Sequence, residues 1–187
     1  MAKTVNEAFD EFNKDIVNLD PSKTSKAISS RDWLYEQLNA LDGKIDLYFP
    51  FKYQDKHIKY GSFARKTKIR ELDDIDIMYC FAVNGAIYSK TGQKYTILTN
   101  NAGERLKKLS DYNILNSRRF IEKIKSSLSR IEQYKSAELH RKGEAATLEL
   151  QSYEWTFDIV PCFYTDSREI GERRVGKECR SRWSPYH

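Results

Sequence analysis

Apolar and polar residues alternate with period two over Asp74–Phe81. This spacing predicts a strand with Ile75, Ile77 and Tyr79 on one face and Asp74, Asp76 and Met78 on the other. Trp155–Val160 repeats the pattern, Phe157 and Ile159 facing one way and Thr156, Asp158 and Val160 the other, with Pro161 expected to end it. Helical spacing appears over 4–18 through Ala8, Phe9, Phe12 and Ile16. Past Asp20-Pro21 a second helix is predicted, with Ile28, Trp33, Leu34, Leu38 and Leu41 toward a core, closed by Asp42-Gly43. Residues 57–60 read as a short strand feeding Gly61. Segment 84–113 reads as loop around one short strand at 94–98. Asn116 or Ser117 caps a helix carrying Phe120, Ile124, Leu128 and Ile131, and a hairpin over 138–151 leads into the Asp158 strand. Strands and helices in this order predict an α+β fold, a mixed and mostly antiparallel sheet flanked by helices.

The chemistry sits at the junctions of these elements. Gly61-Ser62 before the first acidic strand lets the backbone approach an anion closely, with hydroxyl and N–H groups for phosphate oxygens. Arg65, Lys66 and Lys68 are near enough in sequence to neutralise more phosphate charge. Asp74 and Asp76 share a strand face, and if the Asp158 strand lies alongside, three carboxylates converge. Such a cluster needs cations, and Mg²⁺ held by carboxylates beside nucleotide phosphates is the expected solution, two ions with Mn²⁺ as alternative. Asp73 points the other way and is not a candidate ligand. The tyrosine and phenylalanine cluster at 48–53 reads as core or loop anchor rather than as a base-stacking platform.

Gly61-Ser62-Phe63-Ala64-Arg65-Lys66-Thr67, Asp73-Asp74-Ile75-Asp76-Ile77-Met78 and Phe157-Asp158-Ile159-Val160-Pro161-Cys162-Phe163 resemble the signature blocks of the polymerase-β-type nucleotidyltransferases. Within that superfamily the chain most resembles the bacterial cyclic-oligonucleotide synthases related to cyclic GMP-AMP synthase and oligoadenylate synthetase, over roughly residues 4–166. The resemblance implies a nucleotidyltransferase fold and catalysis by Asp74, Asp76 and Asp158 with Mg²⁺. It implies substrate binding through Gly61, Ser62, Arg65 and Lys66, and ATP and GTP as donors. The implied product is a cyclic or linear oligonucleotide messenger in anti-phage signalling, with regulatory protein partners. A minimal nucleotidyltransferase acting on protein, RNA or a small molecule shares the same triad. A noncatalytic nucleotide-binding module does not require it.

The expected organisation is a catalytic domain over 1–168, lacking the helical region that closes the cleft in this family, and a foreign tail over 172–187 that resembles a translated sequencing adapter. That tail carries +3 of the formal +5 charge, so composition makes no case for nonspecific nucleic-acid binding. Cys80 and Cys162 read as small buried hydrophobes, and scattered histidines disfavour zinc. No apolar run approaches the roughly 20 residues of a membrane span, and a cytoplasmic location is expected.

Overall fold

A computed structural model describes residues 4–53, 58–69, 71–91 and 94–164. Residues 57 and 165–187, and with them the expectations for the start of the short strand and for the tail, lie outside the described residues. Helix α1 (Val5–Phe12) continues into a π-helical turn (Asn13–Val17). Helix α2 (Pro21–Ala40) begins as expected at Asp20, whose Oδ1 accepts from the N–H of Ser22 at 2.7 Å and of Lys23 at 3.2 Å, with Pro21 at the first helical position.

The principal sheet has five strands. β1 (Ile58–Lys59) pairs antiparallel with β2 (Asp74–Phe81), and a one-turn helix α3 (Gly61–Ala64) links them. After a second sheet and helix α5 (Ser117–Leu128), the chain returns through β7 (Glu138–Lys142), β8 (Ala145–Glu149) and β9 (Thr156–Phe163). The strand order is β1-β2-β9-β8-β7, with β2 and β9 parallel and every other pair antiparallel. A mixed, mostly antiparallel sheet is what the sequence predicts. β9 nevertheless runs past Pro161 to Phe163. Its pairing with β8 ends at Ile159, so the proline's missing N–H falls where no β8 partner is paired.

The helices cover one face of this sheet. Ile75, Ile77, Tyr79 and Phe81 of β2 and Phe157 and Ile159 of β9 form one buried cluster with Leu34 and Leu38 of α2 and with Phe120, Ile121, Ile124 and Leu128 of α5 (Ser117–Leu128). Phe81 meets Phe120 edge-on at 4.8 Å between ring centroids, and the Tyr79 hydroxyl donates to Asn39 Oδ1 at 2.9 Å. The other face carries the acidic residues and a small buried group, Met78, Cys80 and Cys162, against which Tyr53, Ile58 and Tyr164 pack. Both cysteines are buried, as expected of small hydrophobes, with their Sγ atoms 3.0 Å apart.

Two expectations are corrected. Ile28 and Trp33 do not point to the core: they are 40% and 45% exposed, and Ala27, Ser30, Leu34 and Leu38 form the inner stripe of α2. Segment 84–113 has the expected strand at 94–98 but is not otherwise loop. It builds most of a second sheet of order β3-β4-β6-β5 from β3 (Ile87–Thr91), β4 (Lys94–Leu98), β5 (Ser110–Asp111) and β6 (Ile114–Leu115), with α4 (Glu104–Lys107) inserted. The strands are too short for alternation to stand out. The tight turn from β5 to β6 uses Tyr112 and Asn113 at positive φ, where a glycine signal would have been sought.

Asp46, 2% exposed, ties the end of α2 to α5. Its Oδ2 accepts from Lys123 Nζ and Ser127 Oγ, each at 2.7 Å, and lies 3.3 Å from an Arg130 nitrogen. Burial pushes this carboxyl up, but the hydrogen bonds from Lys123, Ser127 and the Tyr48 N–H outweigh burial and hold it below its ordinary value. Its contribution is therefore present above the unfolded carboxylate pKa near 3.8 and lost as pH falls through the lower folded value. Asp46→Ala strands the partly buried Lys123 and is expected to cost about 3 kcal/mol. That corresponds to roughly 6–12 °C in Tm at pH 7, with a smaller loss near pH 3, measured by thermal melts at the two pH values.

Candidate functional site

The parallel register of β2 and β9 sets Asp76 directly beside Asp158, and Asp74 beside Thr156. Asp74 and Asp76 share a face by period two, so all three carboxylates stand on the sheet face opposite α2 and α5. Adjacent strands lie about 4.8 Å apart, which brings Asp76 and Asp158 within reach of a common cation. Asp158 is only 8% exposed. Its Oδ1 accepts from Thr147 Oγ1 on β8 at 2.6 Å, and its Oδ2 lies 3.7 Å from Lys142 Nζ at the end of β7.

Asp76 sits between the other two acids. Its carboxyl is pushed above the usual carboxylate value, first by burial and then by the negative charges of Asp74 and Asp158. Deprotonated Asp76 thus costs stability that accumulates as pH rises through the window from 3.8 to the raised folded value. Asp76→Asn removes it. Melts in EDTA should show the variant more stable than the parent at pH 7, and the advantage should shrink as pH falls through that window and vanish below its lower edge at 3.8.

Gly61 explains how the phosphate-loop candidate meets this acid. Its φ of +79° is a left-handed conformation, and a Cβ added there would stand 2.7 Å from both Cβ and Cγ of Asp76 and closer still to Oδ2. The Gly61 backbone therefore lies against the Asp76 side chain, a close approach only glycine permits. Ser62 follows in α3, and its carbonyl accepts from the N–H of Thr67 at 2.9 Å and of Lys68 at 3.2 Å. These bonds fold residues 62–68 back toward the acids.

Lys68 gains most from that fold. Its Nζ donates to Asp74 Oδ1 at 2.8 Å and also bonds Asp73, which raises the lysine's pKa and lowers that of Asp73. Arg65 and Lys66 are both exposed, and Lys66 sits at positive φ. The structure thus gathers Asp74, Asp76, Asp158, Gly61 and Lys68 at one place, leaves Arg65 and Lys66 at its solvent side, and adds Thr147 and Lys142. Neither added residue carries a sequence signal of its own, since both reach Asp158 through strand pairing.

The three aspartates do not close into a tight ligand set. Among the described residues, the group of three acidic or His side chains whose ligand atoms lie within 4.8 Å of one another is Glu138, His140 and Glu149, exposed on the β7–β8 hairpin. Lys68 draws on Asp74, and like charges without a cation repel. The donor set remains suited to a hard divalent cation: carboxylate oxygens, with a desolvated middle member whose charge is poorly compensated.

No family model matches the chain. It is 49% identical over 174 residues to the probable cyclic nucleotide synthase IK1_05630 of Bacillus cereus (strain VD146), a match covering 92% of this chain and 52% of the relative. The structure of CdnC from E. coli MS115-1 with ATP aligns with a TM-score of 0.50 at 21% identity, over 86% of this chain and 41% of that one. A structure of the same protein in its complex with HORMA-deltaN aligns at 0.48 with the same identity and coverage. The chain spans about half the length of the curated relative it matches. Over its matched residues the chain is thus similar in sequence to a probable bacterial cyclic nucleotide synthase, and it shares the fold of CdnC.

Proposed function

We propose that the protein is a Mg²⁺-dependent nucleotidyltransferase that joins nucleotides from ATP and GTP into a cyclic or linear oligonucleotide messenger serving defence against phage. The observation that carries this reading is the in-register pairing of Asp76 with Asp158 while the Gly61 backbone lies against Asp76. It puts the carboxylates and the candidate phosphate loop at one point. Asp74, Asp76 and Asp158 would hold the metal, which supplies charge neutralisation for the triphosphate and for the leaving pyrophosphate.

The chain's own residues divide the remaining work. Asp158, oriented by Thr147 and balanced by Lys142, receives the proton of the attacking hydroxyl. Gly61 and Ser62 present backbone and hydroxyl groups to phosphate oxygens, and Arg65 and Lys66 add positive charge from the solvent side. Lys68, its Nζ 2.8 Å from Asp74 Oδ1, adds a further positive charge beside the acids. Regulatory protein partners and a cytoplasmic location belong to the same reading. Among the described residues no helix is long and apolar enough to cross a membrane.

The test uses the protein extended through the other half that its relative carries. Incubation with α-³²P-labelled ATP and GTP and Mg²⁺ should give phosphatase-resistant oligonucleotide product together with pyrophosphate. Label transferred to a macromolecule, or no transfer at all, would refute it.

A further inference from the structure

Cys80 and Cys162 do more than fill an apolar layer. The parallel register of β2 and β9 sets them directly opposite each other, and period two puts them on the sheet face of Asp76 and Asp158, four residues farther along each strand. Strands paired in this way hold facing Cα atoms about 4.8 Å apart, inside the roughly 4.4–6.8 Å that a disulfide spans. The two Sγ atoms are 3.0 Å apart, so forming a bond between them takes only about 1 Å of further approach. The backbone beneath them is tied on the other edge of β2 as well. The Cys80 carbonyl accepts from the Tyr53 N–H at 3.0 Å, and the Ala82 N–H donates to the Phe51 carbonyl at 2.8 Å.

We propose that Cys80 and Cys162 are a redox modification site, at which hydrogen peroxide converts the pair into a disulfide that clasps β2 to β9 and a thiol reductant reopens it. The surroundings select the oxidant. Cys80 is 0% and Cys162 1% exposed, with Tyr53, Ile58 and Tyr164 packed against them, so a small uncharged peroxide suits the site and a bulky charged disulfide such as oxidised glutathione does not. One sulfur attacks the peroxide: an S–O bond forms, the O–O bond breaks and water leaves. The second sulfur then attacks the sulfenic acid so formed. An S–S bond forms, the S–O bond breaks, and the hydroxyl departs with the thiol proton as a second water. Two thiols are thereby oxidised and one peroxide is reduced to two waters. Because the second thiol is already in contact, its attack is effectively unimolecular and outruns further oxidation to sulfinic acid. In the reducing cytoplasm proposed above the pair rests as thiols. The clasp fixes the register on which the approach of Asp76 to Asp158 depends.

Thiol counting on the 187-residue chain tests this without nucleotide, so its outcome is separate from that of the catalytic reading. The protein is treated with hydrogen peroxide, quenched with catalase, alkylated in denaturant and weighed by mass spectrometry. The chain has three cysteines, so the reduced protein takes up three alkyl groups. After peroxide it should take up one, on Cys179, and a non-reducing digest should yield the Cys80–Cys162 linked peptide. Dithiothreitol should restore all three thiols. The linked form should melt roughly 4–16 °C above the reduced form. Cys179→Ser should leave the linkage intact, and Cys80→Ser or Cys162→Ser should abolish it. Three alkyl groups after peroxide, sulfinic acid in place of the linkage, or a disulfide that engages Cys179 or joins two chains would overturn the inference. So would a linked form that melts no higher than the reduced one.

Discussion

Asp158→Asn in the extended protein is expected to lower the rate of nucleotide transfer about 10³-fold, within the range that loss of a general base costs. The fold should survive. The asparagine keeps an oxygen for the Thr147 hydroxyl, and its neutral amide relieves the charge that Asp158 places on Asp76. A stable but inactive variant separates a chemical role from a structural one. Asp76→Ala should behave alike, while Asp73→Ala should retain most activity because Asp73 is exposed and bonded to Lys68 rather than turned to the triad. Initial rates of pyrophosphate release from the three variants, with melts on the same samples, check this.

Gly61→Ala is expected to be nearly as damaging through backbone geometry alone. An alanine at φ +79° is strained, and its methyl would overlap Asp76, so either the Gly61-Ser62 turn or the carboxylate must move. A shift of about 1 Å in a reacting group costs on the order of 100-fold in rate, and that loss should appear with nucleotide affinity also reduced. Gly143→Ala offers the control. That glycine too has positive φ, but no atom lies within 4 Å of an added Cβ, so activity should be kept.

Period-two patterning made both acidic strands and the inward side of β2 legible, since Ile75, Ile77 and Tyr79 face the helices while Asp74 and Asp76 face away. It did not show where β9 ends, because Pro161 is tolerated beyond the last residue paired with β8. Helical spacing located α2 but not its buried side. Ile28 and Trp33 are as apolar as Leu34 and Leu38, and only packing against the sheet distinguishes them. The second sheet was hidden by strands of two to five residues and by a turn whose left-handed positions are Tyr112 and Asn113.

The site divides in the same way. Asp74 and Asp76 are fixed relative to each other by two residues of strand, which the sequence displays. Their relation to Asp158, and the approach of Thr147 and Lys142, depend on pairings across 82 and 11 residues of chain or more, which it does not. Lys68 stood among three basic candidates after the Gly-Ser turn. The fold-back onto the Ser62 carbonyl brings this lysine, rather than Arg65 or Lys66, to Asp74.

The central claim is that Asp74, Asp76 and Asp158 form one divalent-cation site beside Gly61. Electron paramagnetic resonance titration of Mn²⁺ into the protein with a nonhydrolysable ATP analogue tests it most directly. The account predicts saturable Mn²⁺ binding that is lost in both Asp76→Ala and Asp158→Ala and kept in Asp73→Ala. Binding that persists undiminished when Asp76 and Asp158 are both replaced would contradict it.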